Sequence, residues 1–110
     1  MEINQTFSIE IKANFTESVK DILDYIRENS YQNVLVFEKE KVEKIYQICE
    51  NPEVFPILRK IKTKRQCRIA IFKKSYEIYY HIDLKSSKIY FLDICHVKRN
   101  PKSLKYLDKL

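Results

Sequence analysis

The sequence predicts an α+β domain: an N-terminal strand, an antiparallel helical hairpin, then a three-stranded antiparallel meander. Three observations carry that prediction. Apolar residues alternate with polar ones at Phe7, Ile9 and Ile11, recur at helical spacing through residues 19–49, and alternate again between residues 68 and 95. The chain has 110 residues, enough for one domain, 1–110, with a single modest core.

The first strand is read from Phe7, Ile9 and Ile11, set between Ser8, Glu10 and Lys12 so that one face is apolar. Val19, Ile22, Leu23 and Ile26 then form one helical stripe. Thr16 or Asn14 is placed to cap this helix, Asn14 pairing with Glu17 in a capping box. Glu17, Asp21 and Asp24 would lie early in it, where the dipole favours acids. Asn29-Ser30 interrupts the pattern, and Leu35, Val42, Ile45, Tyr46 and Cys49 predict a second helix ending before Pro52. Val34–Phe37 has strand propensity, but Glu38 through Lys44 is rich in helix formers and no turn separates the two. The short connection implies an antiparallel hairpin.

An irregular basic stretch follows Pro52 and Pro56. Arg68–Phe72, Tyr76–Ile82 and Lys88–Cys95 read as three strands joined by Lys73-Lys74-Ser75 and by Asp83–Ser87, ahead of a short polar tail. Glycine is absent from the chain, so Asn, Asp and Ser are expected at any turn position with positive φ. Tyr76, Ile78 and Tyr80 are expected to face the core, leaving Tyr79 and His81 on the opposite face for contacts.

Composition excludes several classes. The 45% apolar content argues against disorder, and no apolar run is long enough to span a membrane. Residues 1–5 lack the pattern of a secretory signal, so a cytoplasmic location is expected. Cys49, Cys67 and Cys95 are dispersed, which fits reduced thiols in a core better than a disulfide or zinc site. With His81 and His96 equally scattered, neither a metal nor any other cofactor is implied.

Charge is divided sharply along the chain. Residues 1–56 hold 6 Lys/Arg against 11 Asp/Glu, whereas residues 57–110 hold 15 against 4. Eight cations and no acid lie between Arg59 and Lys74. Such a run is often only a solvated face, but this asymmetry suggests an acidic or polyanionic partner on the C-terminal half. Arg59, Lys62, Lys64, Arg65, Arg68, Tyr79, His81, Lys98 and Arg99 are the candidate contacts. Arg68 can bind a phosphate or carboxylate in bidentate fashion, or form an internal pair with Asp93.

The ordered set of segments resembles the RelE/ParE toxin superfamily over nearly the whole chain. Glu17–Ile26 resembles its first helix, and Asn51-Pro52 with Phe55 the end of its second. Arg68–Ile71, Tyr76–Tyr80 and Ile89–Ile94 resemble its strand core, and His96-Val97-Lys98-Arg99-Asn100-Pro101 the His-x-x-Arg-x-Pro ending of ParE-like members of the plasmid-stabilisation type. The resemblance implies a toxin that inhibits growth and forms a hetero-oligomer with a cognate antitoxin, whose extended, acidic segment the basic half would meet. RelE-like members cut messenger RNA on the ribosome with Lys and Arg from the strands and a Tyr or His near the C-terminus, whereas ParE-like members inhibit DNA gyrase. For a ribonuclease the set would be His96, Arg68, Arg99 and Tyr106, the last only if the tail folds back. Val97 stands where RelE has a catalytic arginine and Ser103 near its tyrosine, which favours the gyrase reading. His96 could act as acid or base, or simply pack at a strand end. A basic nucleic-acid-binding module without toxic action is a third reading.

Overall fold

The computed structural model describes residues 7–59, 63–97 and 101–110, the backbone alone at 101–103 and 105. In chain order they form β1 (Ser8–Ile11), α1 (Ala13–Arg27), α2 (Tyr31–Glu50), β2 (Arg68–Phe72), β3 (Tyr76–Asp83), β4 (Lys88–His96) and a C-terminal 3₁₀ helix (Pro101–Lys109). The strand, helix pair and meander are those expected.

One sheet holds all four strands in the order β1-β4-β3-β2. β1 lies parallel to β4, with Ser8 opposite Lys88 and Ile11 opposite Phe91, while β2, β3 and β4 pair antiparallel. Being at the edge changes what β1 can bury. Phe7 packs on the core, but Ile9 and Ile11 are each 45% exposed, so the expected buried face is only partly realised. The same pairing fixes where α1 starts. The Lys12 amide donates to Phe91 O at 3.0 Å, and Lys12 is then the N-cap without any side-chain cap. Asn14 and Thr16 therefore lie inside the helix rather than capping it, and no acid occupies its first turn.

α2 is capped by Ser30, whose hydroxyl accepts from the Asn33 amide at 3.4 Å, and it runs through Val34–Phe37 without a break. Its inward face corrects the expected stripe. Phe37 and Ile48 are fully buried, with Ile45 and Cys49 partly so, whereas Leu35 and Tyr46 are 56% and 67% exposed and Val42 also faces outward. Phe37 and Ile48 are about three helical turns apart, so they share a face. Between them that face carries Lys41 and Lys44, which lie along it on their methylene stems; the Lys44 ammonium sits 5.3 Å from the Phe55 ring centre.

The sheet has a core on each side. Against the helices, Phe15, Val19, Phe37 and Ile48 meet Ala70, Phe72, Ile78, Tyr80, Ile89, Phe91 and Ile94. On the far side, Leu58, Cys67, Tyr79, Leu92 and Cys95 are covered by Leu104 and Leu107 of the 3₁₀ helix. The tail is thus a packed element, not a polar extension. Leu104, Leu107 and Leu110 recur every third residue, the period that aligns side chains on a 3₁₀ helix. Cys67 and Cys95 are buried and Cys49 half-buried. Among the described residues no helix is long and apolar enough to cross a membrane.

Candidate functional site

The outer face of the sheet, opposite the helices, is where strand side chains could present a catalytic set. Alternation along β2 and β3 places Ile69, Ile71, Glu77, Tyr79 and His81 there. Ile71 lies directly across from Glu77. Among the described residues, then, β2 and β3 bring no Lys or Arg to this face, and β4 brings only Lys88, at its first position beside Tyr90. Glu77 is buried and accepts a 2.6 Å hydrogen bond from the Tyr79 hydroxyl, which in turn accepts from Cys95 Sγ at 3.5 Å. Tyr79 is only 1% exposed, so this expected contact residue is instead part of the second core. Burial, reinforced by Cys95 and Glu77, raises its pKa far above that of a free tyrosine. The covering tail, which sequence reasoning missed, is the cause.

His81 lies nearer the surface. Its Nδ1 is 2.9 Å from Gln66 O, and since a carbonyl only accepts, Nδ1 carries the proton. Its ring stacks on Tyr90 with centres 6.2 Å apart. The Lys12 and Lys88 ammonium groups approach Tyr90 at 5.1 and 5.6 Å. They also pair with Glu10 at 2.9 and 3.6 Å, and the Lys12 hydrogen bond holds the Glu10 carboxyl below its usual range.

A β-bulge re-aims the end of β4. Tyr79 pairs with Asp93 but Tyr80 with Phe91, which leaves Leu92 as the extra residue. β1 has ended by this point, so Asp93 meets α1 and the tail across the open edge. Its carboxylate, 1% exposed, accepts from Ser18 Oγ at 2.5 Å, from the Ile94 amide at 2.8 Å and from the Tyr106 hydroxyl. The tail is further held by Asp108, which accepts from the Lys64 amide at 2.7 Å, and by Arg65, which donates to Leu107 O at 3.4 Å.

Arg68 is occupied elsewhere. Its guanidinium donates to Glu53 O at 3.0 Å and Phe55 O at 2.6 Å, so it pins the loop after α2 and does not pair with Asp93. Tyr80, opposite Arg68, donates to Pro52 O in the same loop at 2.6 Å. His96 is exposed on the helix side, edge-on to Tyr76 with ring centres 5.6 Å apart. His96 pairs with Tyr76 and Arg68 with Tyr80, four residues along β3, a separation of about 13 Å. Tyr106 lies beyond the other edge. The tail does fold back, yet His96, Arg68 and Tyr106 are not brought together. Arg59 and the Lys64 side chain are exposed, and Arg65 is half-buried. Lys62, Lys98 and Arg99 lie outside the described residues.

Comparison with known proteins agrees with this architecture. The family model for the ParE toxin of the type II toxin–antitoxin system parDE matches residues 9–101. Among solved structures, the crystal structure of the toxin–antitoxin complex RelBE2 from Mycobacterium tuberculosis is similar in fold. The match covers 83% of this chain and 98% of that one, with a TM-score of 0.53 at 13% sequence identity. No curated protein matches the chain.

Proposed function

The chain belongs to the ParE toxin family of type II toxin–antitoxin systems, and from this premise we propose that it inhibits DNA gyrase until a cognate antitoxin covers it. One observation carries the choice of target: over β2 and β3 the outer sheet face presents apolar residues and a buried acid where RNA cleavage needs cations around a pentavalent phosphate, and Lys88, the cation that β4 adds at one end, is paired with Glu10. Arg68, the strand cation nearest that role, is spent on the loop carbonyls of Glu53 and Phe55. Gyrase inhibition requires only a surface that grips the enzyme, and the outward apolar face of α2 (Leu35, Val42, Tyr46) suits such a contact.

The antitoxin is the second partner, and its acidic segment would run along Arg59, Lys64 and His81. His81 is bonded to Gln66 O, two residues from Lys64, and the Leu58 amide donates to Cys67 O, which brings Arg59 beside the same segment. The ribonuclease alternative rests on Tyr106, which the folded tail does bring to the sheet edge. Incubating the purified chain with gyrase and plasmid separates the two. Lost supercoiling with trapped cleavage complexes is expected; unchanged supercoiling together with cleavage of ribosome-bound mRNA would reverse the assignment.

A further inference from the structure

A cleft of about 220 Å³ opens between the tip of the helical hairpin and the β2–β3 turn. Tyr25, Ile26 and Asn29 come from α1 and its end, Asn33 and Phe37 from α2, and Lys73 and Tyr76 from the turn and β3. It lies on the helix side, away from the outer sheet face, and none of these groups enters the toxin reading above. We propose that this cleft binds one nucleotide of an unpaired strand, its base against the tyrosines and its phosphate on the turn lysines.

The floor is apolar and rigid. Phe37 is fully buried and meets the Tyr76 ring edge-on at 5.1 Å between centres. Tyr76 is stacked on Phe72 at 5.4 Å, which fixes its ring in place. At the rim Tyr25 is 68% exposed and offers a free aromatic surface, the feature on which an unstacked base settles. Burial and the neighbouring Tyr25 raise the Tyr76 pKa, so its hydroxyl stays neutral and able to donate.

Polar groups frame that floor as a base would need. Asn29 uses its Nδ2 to donate to Tyr25 O at 3.2 Å, which leaves its amide oxygen as an acceptor. Asn33 supplies a second amide from the first turn of α2. Two amides beside an aromatic floor suit the mixed donor and acceptor edge of a base, whereas a simple carboxylate would use only the cations. The volume is below the roughly 300 Å³ at which pockets for larger ligands begin, so it suits one ring system.

The cations are placed at a conformational cost. The Ser75 amide donates to Phe72 O at 3.2 Å, closing a turn whose central residues, Lys73 and Lys74 rather than the expected Asn, Asp or Ser, have φ of 54° and 60°; only at Ser87 does the expectation hold. That is the geometry in which Asn-Gly is favoured. Both lysines are exposed, and neither pairs with an acid among the described residues. A strained turn that keeps two unpaired cations beside an aromatic cleft is explained by an anion bound there.

The test is titration of the purified chain against labelled short single-stranded DNA and RNA, duplex DNA, free nucleoside monophosphates and a short acidic peptide, read by anisotropy and by amide shifts. Single strands should bind and shift the amides of Asn33, Lys73 and Tyr76, whichever sugar they carry. Tyr25→Ser and Lys73→Ser, both at exposed positions, should each weaken binding by about tenfold or more. Lys85→Ser, on the turn at the opposite end of β3, should change it little. Equal loss with Lys85→Ser, tighter binding of duplex, or shifts from an acidic peptide but from no nucleotide would each overturn the proposal. Because this assay contains no gyrase, failure here leaves the gyrase assignment standing, and the reverse holds too.

Discussion

Leu107→Ala should unseat the C-terminal helix from the sheet. Leu107 is fully buried and Leu104 nearly so, both against Tyr79, Leu92 and Cys95. Truncating a buried leucine costs about 2–5 kcal/mol, the lost transfer energy plus the cavity left behind. The lower half of that range applies, because a terminal segment can let go rather than hold an empty cavity; the loss is then capped by the docking energy of the tail. About 2–3 kcal/mol is expected. With an unfolding entropy of about 2.1 cal/mol/K per residue, a 110-residue chain should lose on the order of 10 °C in Tm. Urea titration followed by far-ultraviolet circular dichroism gives the free energy, and hydrogen exchange gives the locus. The Lys64 amide, bonded to Asp108, should exchange faster, while amides in the β3–β4 ladder keep their order of protection. Leu35→Ala is the control: on the outward face of α2 it should cost less than about 0.5 kcal/mol. A Leu107→Ala loss as small as that control, with the Lys64 amide unchanged, would refute the packed tail.

Three other outcomes follow from particular contacts. Arg68→Met removes two charge-assisted bonds to Glu53 O and Phe55 O and should cost about 1.5–3 kcal/mol by urea titration; unchanged stability with weaker antitoxin binding would instead make Arg68 a contact residue. Burial raises the pKa of both Tyr79 and Tyr80, so each stays protonated in the folded chain after the unfolded chain ionises near 10.0. Their stabilising effect is therefore complete below pH about 10 and lost as pH rises, at about 1.4 kcal/mol per pH unit for each, and Tyr79→Phe should reduce that slope in alkaline denaturation. Replacing Lys73 and Lys74 by Asn and Gly should raise stability by about 1–2 kcal/mol in urea, since the turn no longer holds long side chains at positive φ, while nucleotide binding is lost.

Much of this molecule was legible in the order of its residues. Alternation and helical spacing located every strand and both helices, because burying one face of each element demands those periods. The dispersed cysteines and the basic C-terminal half were equally plain. The sequence could not determine which face of α2 turns inward: Leu35, Val42 and Tyr46 are as apolar as Phe37 and Ile48, and only packing against β2 chose between them. Nor could it show that Tyr79 would be buried, since that depends on a tail far from it in sequence, whose Leu104, Leu107 and Leu110 spacing was the one available signal. The candidate site suffered most. Arg68, His96 and Tyr106 all fall in the basic C-terminal half but are sent to a loop, to the helix side and to a sheet edge by pairing register and by the bulge at Leu92. Residue type is set by the sequence alone, whereas the partner of each charge is set by the three-dimensional path that brings carbonyls, carboxylates and rings within reach.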